Sequence, residues 1–235
     1  MSKRFVILGG GESGVGAALL AKKKGYDVFL SDESSLKDGY RNELLNAGID
    51  FEEGKHSVEK ILNADEVMKS PGIPEKAAMV KKIRSAGIAV VSEIEFAFRF
   101  KGDSKIIAIT GSNGKTTTTA LTFHLCSTAG LDAAMVGNIG ASFARQVAVH
   151  PKDLYVVEVS SFQLDDIKHF KPDVAILTNI TEDHLDRYDY QFENYIRSKF
   201  RITMNQQAGD YFIYCADDET TIKYLNSPEL IGFNI

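Results

Sequence analysis

Short apolar runs rich in β-branched and aromatic residues alternate along the chain with segments of helical periodicity. The runs predict strands at residues 4–8, 27–31, 66–70, 89–92, 105–110, 133–137, 154–160, 174–180, 211–216 and 229–233. The helical patterns predict helices at residues 15–25, 40–47, 75–86, 93–100, 115–129, 139–148, 191–204 and 218–225. Because parallel strands need crossover connections, this alternation predicts an α/β fold with mostly parallel sheets covered by helices.

A polar break at residues 100–105 separates two units that each open with a strand and a glycine turn. We place the boundary near residue 93, which predicts one domain over 1–93 and a second over 94–235. A length of 235 residues agrees with two domains at roughly 100–200 residues each. The chain ends just after an apolar run with no closing helix, which favours a truncated second domain.

Charge and cysteine content narrow the class of protein. A net charge of −5 offers no basic surface for a nucleic-acid backbone, so we expect no nucleic-acid partner. Cys126 and Cys215 each lie in an apolar stretch and are interpreted as reduced core thiols. The amino end lacks a signal core and no apolar run approaches the ~20 residues that span a bilayer, so we expect a cytoplasmic protein without membrane insertion.

The first glycine turn follows the first predicted strand. Gly9, Gly11 and Gly14 satisfy G-x-G-x-x-G before a helix, and Asp32 ends the next strand, as in dinucleotide sites. Glycines let the backbone approach a pyrophosphate, and the helix amino end offers unpaired N–H groups to it. A diphosphate-bearing nucleotide is therefore predicted, with Gly11, Ser13 and Asp32 as contacts. A plain tight turn is the alternative, and an NAD-dependent dehydrogenase is the rival enzyme class.

The stretch "KSPGIP" at 69–74 follows another strand of the same predicted sheet. Ser70 is therefore either a contact in the nucleotide crevice or part of an ordinary helix start or turn.

The second glycine turn, "GSNGKT" at 111–116, has the GK[ST] half of a P-loop after a strand. Ile109 stands where the leading glycine of the full pattern would be. The turn still supplies backbone N–H groups, a lysine for phosphate oxygens and a threonine hydroxyl for Mg²⁺. The predicted phosphate-binding set is Gly111, Ser112, Asn113, Gly114, Lys115, Thr116 and Thr117.

Three polar residues lie in or just after the later predicted strands, and a fourth, Lys199, lies in the predicted helix 191–204. Glu158 has apolar neighbours, and a buried carboxylate needs either a metal ion such as Mg²⁺ or an ion-pair partner. His184 follows a strand in "NITEDHLDRY" and is predicted to contact metal or substrate, although helix capping by Thr181 would explain the acidic residues nearby. Asn138 in "GNIG" is either a side chain that faces the crevice of the second glycine turn or part of an ordinary turn. From its place in a helical pattern alone, we interpret Lys199 as a solvated lysine.

Five motifs taken in order resemble the Mur ligase family, and the resemblance covers essentially the whole chain. They are "GSNGKTT", "GNIG", "EVSSFQL", "TNITEDHLDRY" and "SKFRI". The third and fourth motifs, with the glycine-rich first domain, most resemble the D-glutamate-adding branch. The resemblance implies a Rossmann-like UDP-sugar-binding domain over 1–93, and a truncated central ATP-binding domain over 94–235 of P-loop ATPase type. The family's carboxyl-terminal domain is missing, so we expect little or no activity from this chain alone.

The resemblance also implies a reaction in peptidoglycan precursor synthesis. ATP and Mg²⁺ are the implied cofactors, and UDP-N-acetylmuramoyl-L-alanine and D-glutamate the implied substrates of a monomeric enzyme. The substrate carboxylate attacks the γ-phosphate to give an acyl phosphate, whose carbonyl is then attacked by the D-glutamate amine. Another amide ligase of the superfamily, such as a folate polyglutamating enzyme, would share the ATP loop without needing a UDP-binding domain. A pure UDP-sugar-binding module is a third possibility.

The family's functional residues are carried over position by position. Thr116 and Glu158 resemble ligands of a first Mg²⁺, and His184 resembles a ligand of a second. Asn138 matches a contact to the muramoyl substrate. Lys199 matches a lysine that the family carbamylates, which replaces its interpretation as solvated, because a carbamate supplies the anionic oxygens that Mg²⁺ prefers. Lys115, His184 and Lys199 are the implied catalytic residues.

Overall fold

The computed structural model of the protein describes residues 2–225. The strands are β1 (Arg4–Leu8), β2 (Asp27–Ser31), β3 (Asp50–Glu52), β4 (Glu66–Lys69), β5 (Ala89–Val91), β6 (Lys105–Thr110), β7 (Ala133–Gly137), β8 (Leu154–Glu158), β9 (Val174–Leu177) and β10 (Tyr211–Tyr214). The α-helices are α1 (Glu12–Lys23), α2 (Asp38–Asn46), α3 (Val58–Leu62), α4 (Ala78–Ser85), α5 (Glu93–Phe98), α6 (Lys115–Thr128), α7 (Phe143–Val149), α8 (Ser161–Asp165), α9 (Phe192–Phe200) and α10 (Glu219–Leu225). Single 3₁₀ turns cover Leu185–Arg187 and Arg201–Thr203.

The chain forms two compact units. The first contains the described residues up to Phe100 together with Ala141–Pro151, and the second contains Lys101–Gly140 and the described residues from Lys152 onward. These units differ from the predicted 1–93 and 94–235 in two places. Helix α5 lies in the first unit, and the chain returns to that unit for α7.

Packing explains why α5 and α7 lie in the first unit. Phe96 of α5 is fully buried and stacks on Phe5 of β1, with ring centroids 4.2 Å apart. Arg145 of α7 donates from Nε to Glu12 Oε1 of α1 at 2.7 Å and also pairs with Glu43 of α2. In both contacts the two residues are far apart in the sequence, so local patterns could not predict them.

In the first unit the sheet is parallel with the order β3-β2-β1-β4-β5. Its register pairs Leu8 with Ser31 on one side and with Lys69 on the other, so the carboxyl ends of three strands are level. The strand order reverses at β1, which is where doubly wound sheets open a ligand crevice. The first glycine turn leaves β1 at this edge.

In the second unit the sheet is parallel with the order β10-β9-β6-β8-β7. Glu158, the last residue of β8, pairs with Ile109 of β6 and with Gly137 of β7. Thr110 pairs with Leu177 of β9. The loops after β6, β7, β8 and β9 therefore leave the same edge of the sheet, and they carry most of the predicted site residues.

The sequence patterns did not predict every strand and helix. Strand β3 and helices α3 and α8 were not predicted, because three to five residues carry too little periodicity. The strand predicted at 229–233 lies outside the described residues. The interpretation of both cysteines as core thiols is wrong, because Cys126 is half-buried and Cys215 is exposed. Within residues 2–225 no helix is long and apolar enough to cross a membrane.

Candidate active site

The loop after β6 turns directly into α6. Gly111 has a φ of +149°, and a Cβ on it would lie 1.9 Å from Thr178 Oγ1, so only glycine fits there. Gly114 is the N-cap of α6 in the left-handed region. The loop therefore presents backbone N–H groups at the amino end of a fourteen-residue helix, which suits an anion.

The segment after β9 clamps this loop. Ser112 N donates to Asn179 O at 2.9 Å, and Thr178 Oγ1 donates to Asn113 O at 2.6 Å. Ser112 Oγ donates to Thr181 O at 2.8 Å. The sequence analysis did not assign this role to Thr178, Asn179 or Thr181, although a polar run at the end of an adjacent strand is the signal that could have found it.

Lys115 and Lys199 meet at one carbonyl oxygen. Lys115 Nζ donates to Gly111 O and Ser112 O, both at 2.8 Å, and Lys199 Nζ donates to Gly111 O at 2.6 Å. Two lysine amines thus lie beside this loop at the amino end of α6. This arrangement attracts a multiply charged anion such as a triphosphate.

Lys199 is buried, with 1% of its surface exposed, so the interpretation of a solvated lysine from periodicity is wrong. Its Nζ lies 4.5 Å from the centroid of the Tyr195 ring. Burial, together with the positive charge of Lys115, lowers the pKa of Lys199 from 10.5 to about 7. A substantial fraction of this amine is therefore uncharged near neutral pH.

Glu158 is a buried carboxylate held by neutral groups. It is 1% exposed, and its two oxygens accept hydrogen bonds from Thr116 Oγ1 and Asn138 Nδ2, each at 2.9 Å. It forms no ion pair with any residue in the described range, so the ion-pair alternative has no support. Its unbalanced negative charge beside a threonine hydroxyl fits the hard oxygen ligands that Mg²⁺ prefers.

His184 takes no part in the hydrogen bonds that join Thr116, Glu158 and Asn138. It is exposed, has a left-handed φ of +51°, and precedes the 3₁₀ turn Leu185–Arg187. Its Nε2 is 3.5 Å from Asp183 Oδ2, and its ring packs 5.2 Å from that of Phe162. No helix begins at Thr181, so the alternative of capping there is wrong. In the described part of the chain, no group of three or more His, Cys, Asp or Glu side chains could hold a metal by itself.

The first unit contains a cavity of about 790 Å³ at the carboxyl edge of its sheet. It is lined by Leu8 and Gly9, by the loops after β2, β3 and β4, and by α4. Asp32 lies in this lining and accepts hydrogen bonds from Gly10 N at 2.6 Å and Ser34 N at 2.7 Å. Its carboxylate therefore ties the glycine turn to the loop after β2.

The other predicted contacts, Gly11, Ser13 and Ser70, do not belong to the cavity lining. Gly11 is the exposed N-cap of α1 with open space above it, and Ser13 is half-buried in the first turn of that helix. Ser70 Oγ donates to Gly9 O at a long 3.4 Å, while its neighbours Gly72–Pro74 line the cavity. Helix α4 begins only at Ala78, so "KSPGIP" is not a helix start. It forms a turn instead, in which Ile73 N donates to Ser70 O at 3.0 Å.

Comparison with known families gives two matches that together cover most of the chain. Residues 3–92 match the Mur ligase MurD-like N-terminal domain, and residues 109–234 match the Mur ligase middle domain. The chain belongs to the Mur ligase family. The two parallel sheets agree with the α/β fold that the motif resemblance predicted.

Similar Mur ligases have names that specify one family member. UDP-N-acetylmuramoylalanine–D-glutamate ligase from Christiangramia forsetii is 59% identical over 96% of this chain and 50% of its own length. The same enzyme from Bacteroides fragilis is 56% identical over 92% of this chain and 48% of its own. The chain thus spans about half the length of the curated relatives it matches.

Solved Mur ligase structures share the fold at lower identity. A UDP-N-acetylmuramate:L-alanyl-γ-D-glutamyl-meso-diaminopimelate ligase from Neisseria meningitides superposes with a TM-score of 0.65 at 19% identity, covering 96% of this chain and 75% of its own. UDP-N-acetylmuramate-alanine ligase from Thermotoga maritima gives a TM-score of 0.58 at 24% identity, covering 93% of this chain and 50% of its own. These similarities support the fold alone.

Proposed function

We propose that the chain provides the UDP-sugar-binding and ATP-binding parts of a ligase that adds D-glutamate to UDP-N-acetylmuramoyl-L-alanine. The observation that carries this proposal is the group around the loop after β6: a buried carboxylate, a hydroxyl and two lysines at one sheet edge. The names of the similar ligases support the choice of substrates.

ATP is proposed to bind with its phosphates on residues 111–117. The loop N–H groups would donate hydrogen bonds to the phosphate oxygens, and Lys115 would exchange its two carbonyl acceptors for phosphate oxygens. Thr116 and Glu158 would hold Mg²⁺, which offsets the charge of the transferring phosphoryl group. The substrate carboxylate would then attack the γ-phosphorus and release ADP. The amine of D-glutamate would attack the carbonyl of the acyl phosphate, and the amide would form as inorganic phosphate and a proton leave.

Lys199 is proposed to act as a carbamate. Its position supports this, because the amine is buried beside the loop and its hydrogen bond at 2.6 Å goes to Gly111 O. A carbamate would add anionic oxygens near the Mg²⁺ ligands. His184 remains a proposed ligand of a second Mg²⁺. Asn138 remains a proposed substrate contact, since its Nδ2 binds Glu158 while its Oδ1 has no partner in the described residues.

The UDP portion is proposed to occupy the first unit, with its diphosphate at the glycine turn and its nucleoside in the cavity. Open space above Gly11 at the amino end of α1 supports the position of the diphosphate. The predicted contacts Gly11, Ser13, Asp32 and Ser70 surround this turn. A cytoplasmic location and a monomeric state complete the proposal, and light scattering after gel filtration measures the latter.

Separate titrations of the intact chain with ATP and with the UDP-sugar test the two parts of the proposal. We expect the chain to bind ATP more tightly with Mg²⁺ than without, and Lys115→Met to weaken binding at least about tenfold, since hydrogen bonds to charged groups contribute roughly 1.5–3 kcal/mol each. Lys105→Met is the matched control, because Lys105 is the first residue of β6 and the loop follows the other end of that strand. Equal losses in both variants would remove the phosphate role of Lys115.

The UDP half is tested with UDP-N-acetylmuramoyl-L-alanine and NADH in parallel. We expect the UDP-sugar to bind and NADH not to compete. Tight NADH binding without UDP-sugar binding would favour the dehydrogenase and overturn the proposal. ATP binding without UDP-sugar binding would favour another amide ligase of the superfamily.

A further inference from the structure

Three side chains form a hydrogen-bonded chain behind the cavity of the first unit. Glu52 at the end of β3 is buried, and its Oε1 accepts from Ser31 Oγ at 2.8 Å and from Ser57 N at 2.7 Å. Ser31 Oγ also lies 2.7 Å from His56 Nδ1. His56 is half-buried and belongs to the cavity lining. The chain therefore runs from a buried carboxylate to a ring that faces the cavity.

Proton accounting along this chain determines the tautomer of His56. Ser31 has one hydroxyl proton, and its possible acceptors are the Glu52 carboxylate, Lys55 O at 3.4 Å and the imidazole. Burial alone would raise the pKa of Glu52, but hydrogen bonds from Ser57 and Ser31 hold it below its ordinary value, so Glu52 is an anion that only accepts. The hydroxyl proton therefore goes to Glu52, and His56 Nδ1 must carry a proton that it donates to Ser31.

The opposite ring nitrogen is then an acceptor. In the neutral imidazole only one nitrogen carries hydrogen, so Nε2 of His56 has a free lone pair. No residue in the described part of the chain hydrogen-bonds to this nitrogen. A lone acceptor on a cavity wall favours a ligand that presents an N–H group and disfavours one that presents another acceptor.

The position of His56 suits the base of a nucleotide. His56 follows β3, which is two strands from β1 and its glycine turn. Neighbouring strands are about 4.8 Å apart, so this separation is about 10 Å, comparable to the reach from a diphosphate to its base. Uracil carries an imide N–H between two carbonyl groups, whereas cytosine has a bare nitrogen acceptor at the same place.

We infer that His56, oriented by Ser31 and Glu52, selects uracil over cytosine by accepting a hydrogen bond from the uracil imide N–H. The inference rests on the proposed binding of a UDP-sugar in this cavity and adds the residue that reads the base.

Calorimetric titration of the chain with UDP, CDP and N3-methyl-UDP tests the inference. We expect CDP and N3-methyl-UDP to bind about tenfold or more weakly than UDP, since an unpaired or opposed acceptor loses a hydrogen bond. In His56→Ala the three affinities should converge. His56→Gln should recover part of the preference, because its amide oxygen can replace Nε2 as acceptor. His150→Ala, which removes an exposed histidine of the same unit, should keep the full preference.

The outcomes separate this inference from the proposed function. If neither UDP nor the UDP-sugar binds, the inference and the proposed function are both refuted. If UDP binds but N3-methyl-UDP binds equally well to the unmodified chain, the inference alone falls, whatever the variants do. The tautomer has an independent readout: long-range ¹H–¹⁵N correlation spectra at pH 8 should show His56 with hydrogen on Nδ1, and a spectrum with hydrogen on Nε2 would overturn the inference.

Discussion

Replacement of Glu93 by glutamine should remove a large part of the pH dependence of the first unit's stability. Glu93 begins α5 and is fully buried. Its Oε1 accepts a hydrogen bond from Ala144 N, and its Oε2 has no partner among the described residues. Burial, and to a lesser degree the negative charge of Glu12, raises the pKa of Glu93 from 4.5 to about 8.

The sign and size of the effect follow from linkage between protonation and folding. Between pH 4.5 and about 8 the unfolded chain has Glu93 ionised while the folded chain keeps its proton. Stability therefore falls as pH rises through this window, by about 1.4 kcal/mol per pH unit, and levels off above it. From pH 5 to pH 7.5 the contribution amounts to roughly 3 kcal/mol. Glu93→Gln cannot ionise and should lose this slope.

Urea denaturation at several pH values measures the effect, with isoleucine methyl signals from Ile7 and Ile83 as probes of the first unit's core. The free energy of unfolding of Glu93→Gln minus that of the unmodified chain should grow with pH. Glu59→Gln, which removes an exposed carboxylate of α3, is the control and should give a constant difference. Parallel curves for the unmodified chain and Glu93→Gln would refute the reasoning.

Three further changes test the glycine turn and the ATP loop. Gly14→Ala places a Cβ 1.9 Å from Gly9 O and should cost about 1–3 kcal/mol of stability in thermal or urea unfolding, whereas Gly39→Ala, with open space in α2, should not destabilise. Mg²⁺ should raise the ATP affinity of the unmodified chain at least about tenfold, and Glu158→Gln should abolish this gain. A gain that persists in the variant would contradict the role of Glu158 as a ligand. Thr178→Val removes the 2.6 Å hydrogen bond to the loop and should weaken ATP binding several-fold at about 1 kcal/mol, and unchanged affinity in a folded variant would show that the clamp is dispensable.

Local patterns were sufficient for the elements that carry most of the site. The strands before both glycine turns have the predicted bounds, because short apolar runs of β-branched residues that end at a glycine turn favour buried strands. The order of residues 111–116 likewise predicts a phosphate loop without tertiary information. Lys199 shows the limit: its helical spacing is that of a surface lysine, yet it is buried beside Gly111, which is far from it in sequence.

The sequence by itself determined the α/β alternation, the two glycine turns and, through five ordered motifs, the family, because these features depend on neighbouring residues and their spacing. Only the tertiary structure decided that α7 belongs with the first unit, that the segment after β9 clamps the loop after β6, and that Ser31 and Glu52 orient His56. Each of these depends on hydrogen bonds or packing between residues distant along the chain. Such contacts exist only once parallel strands bring their carboxyl ends to one edge of a sheet.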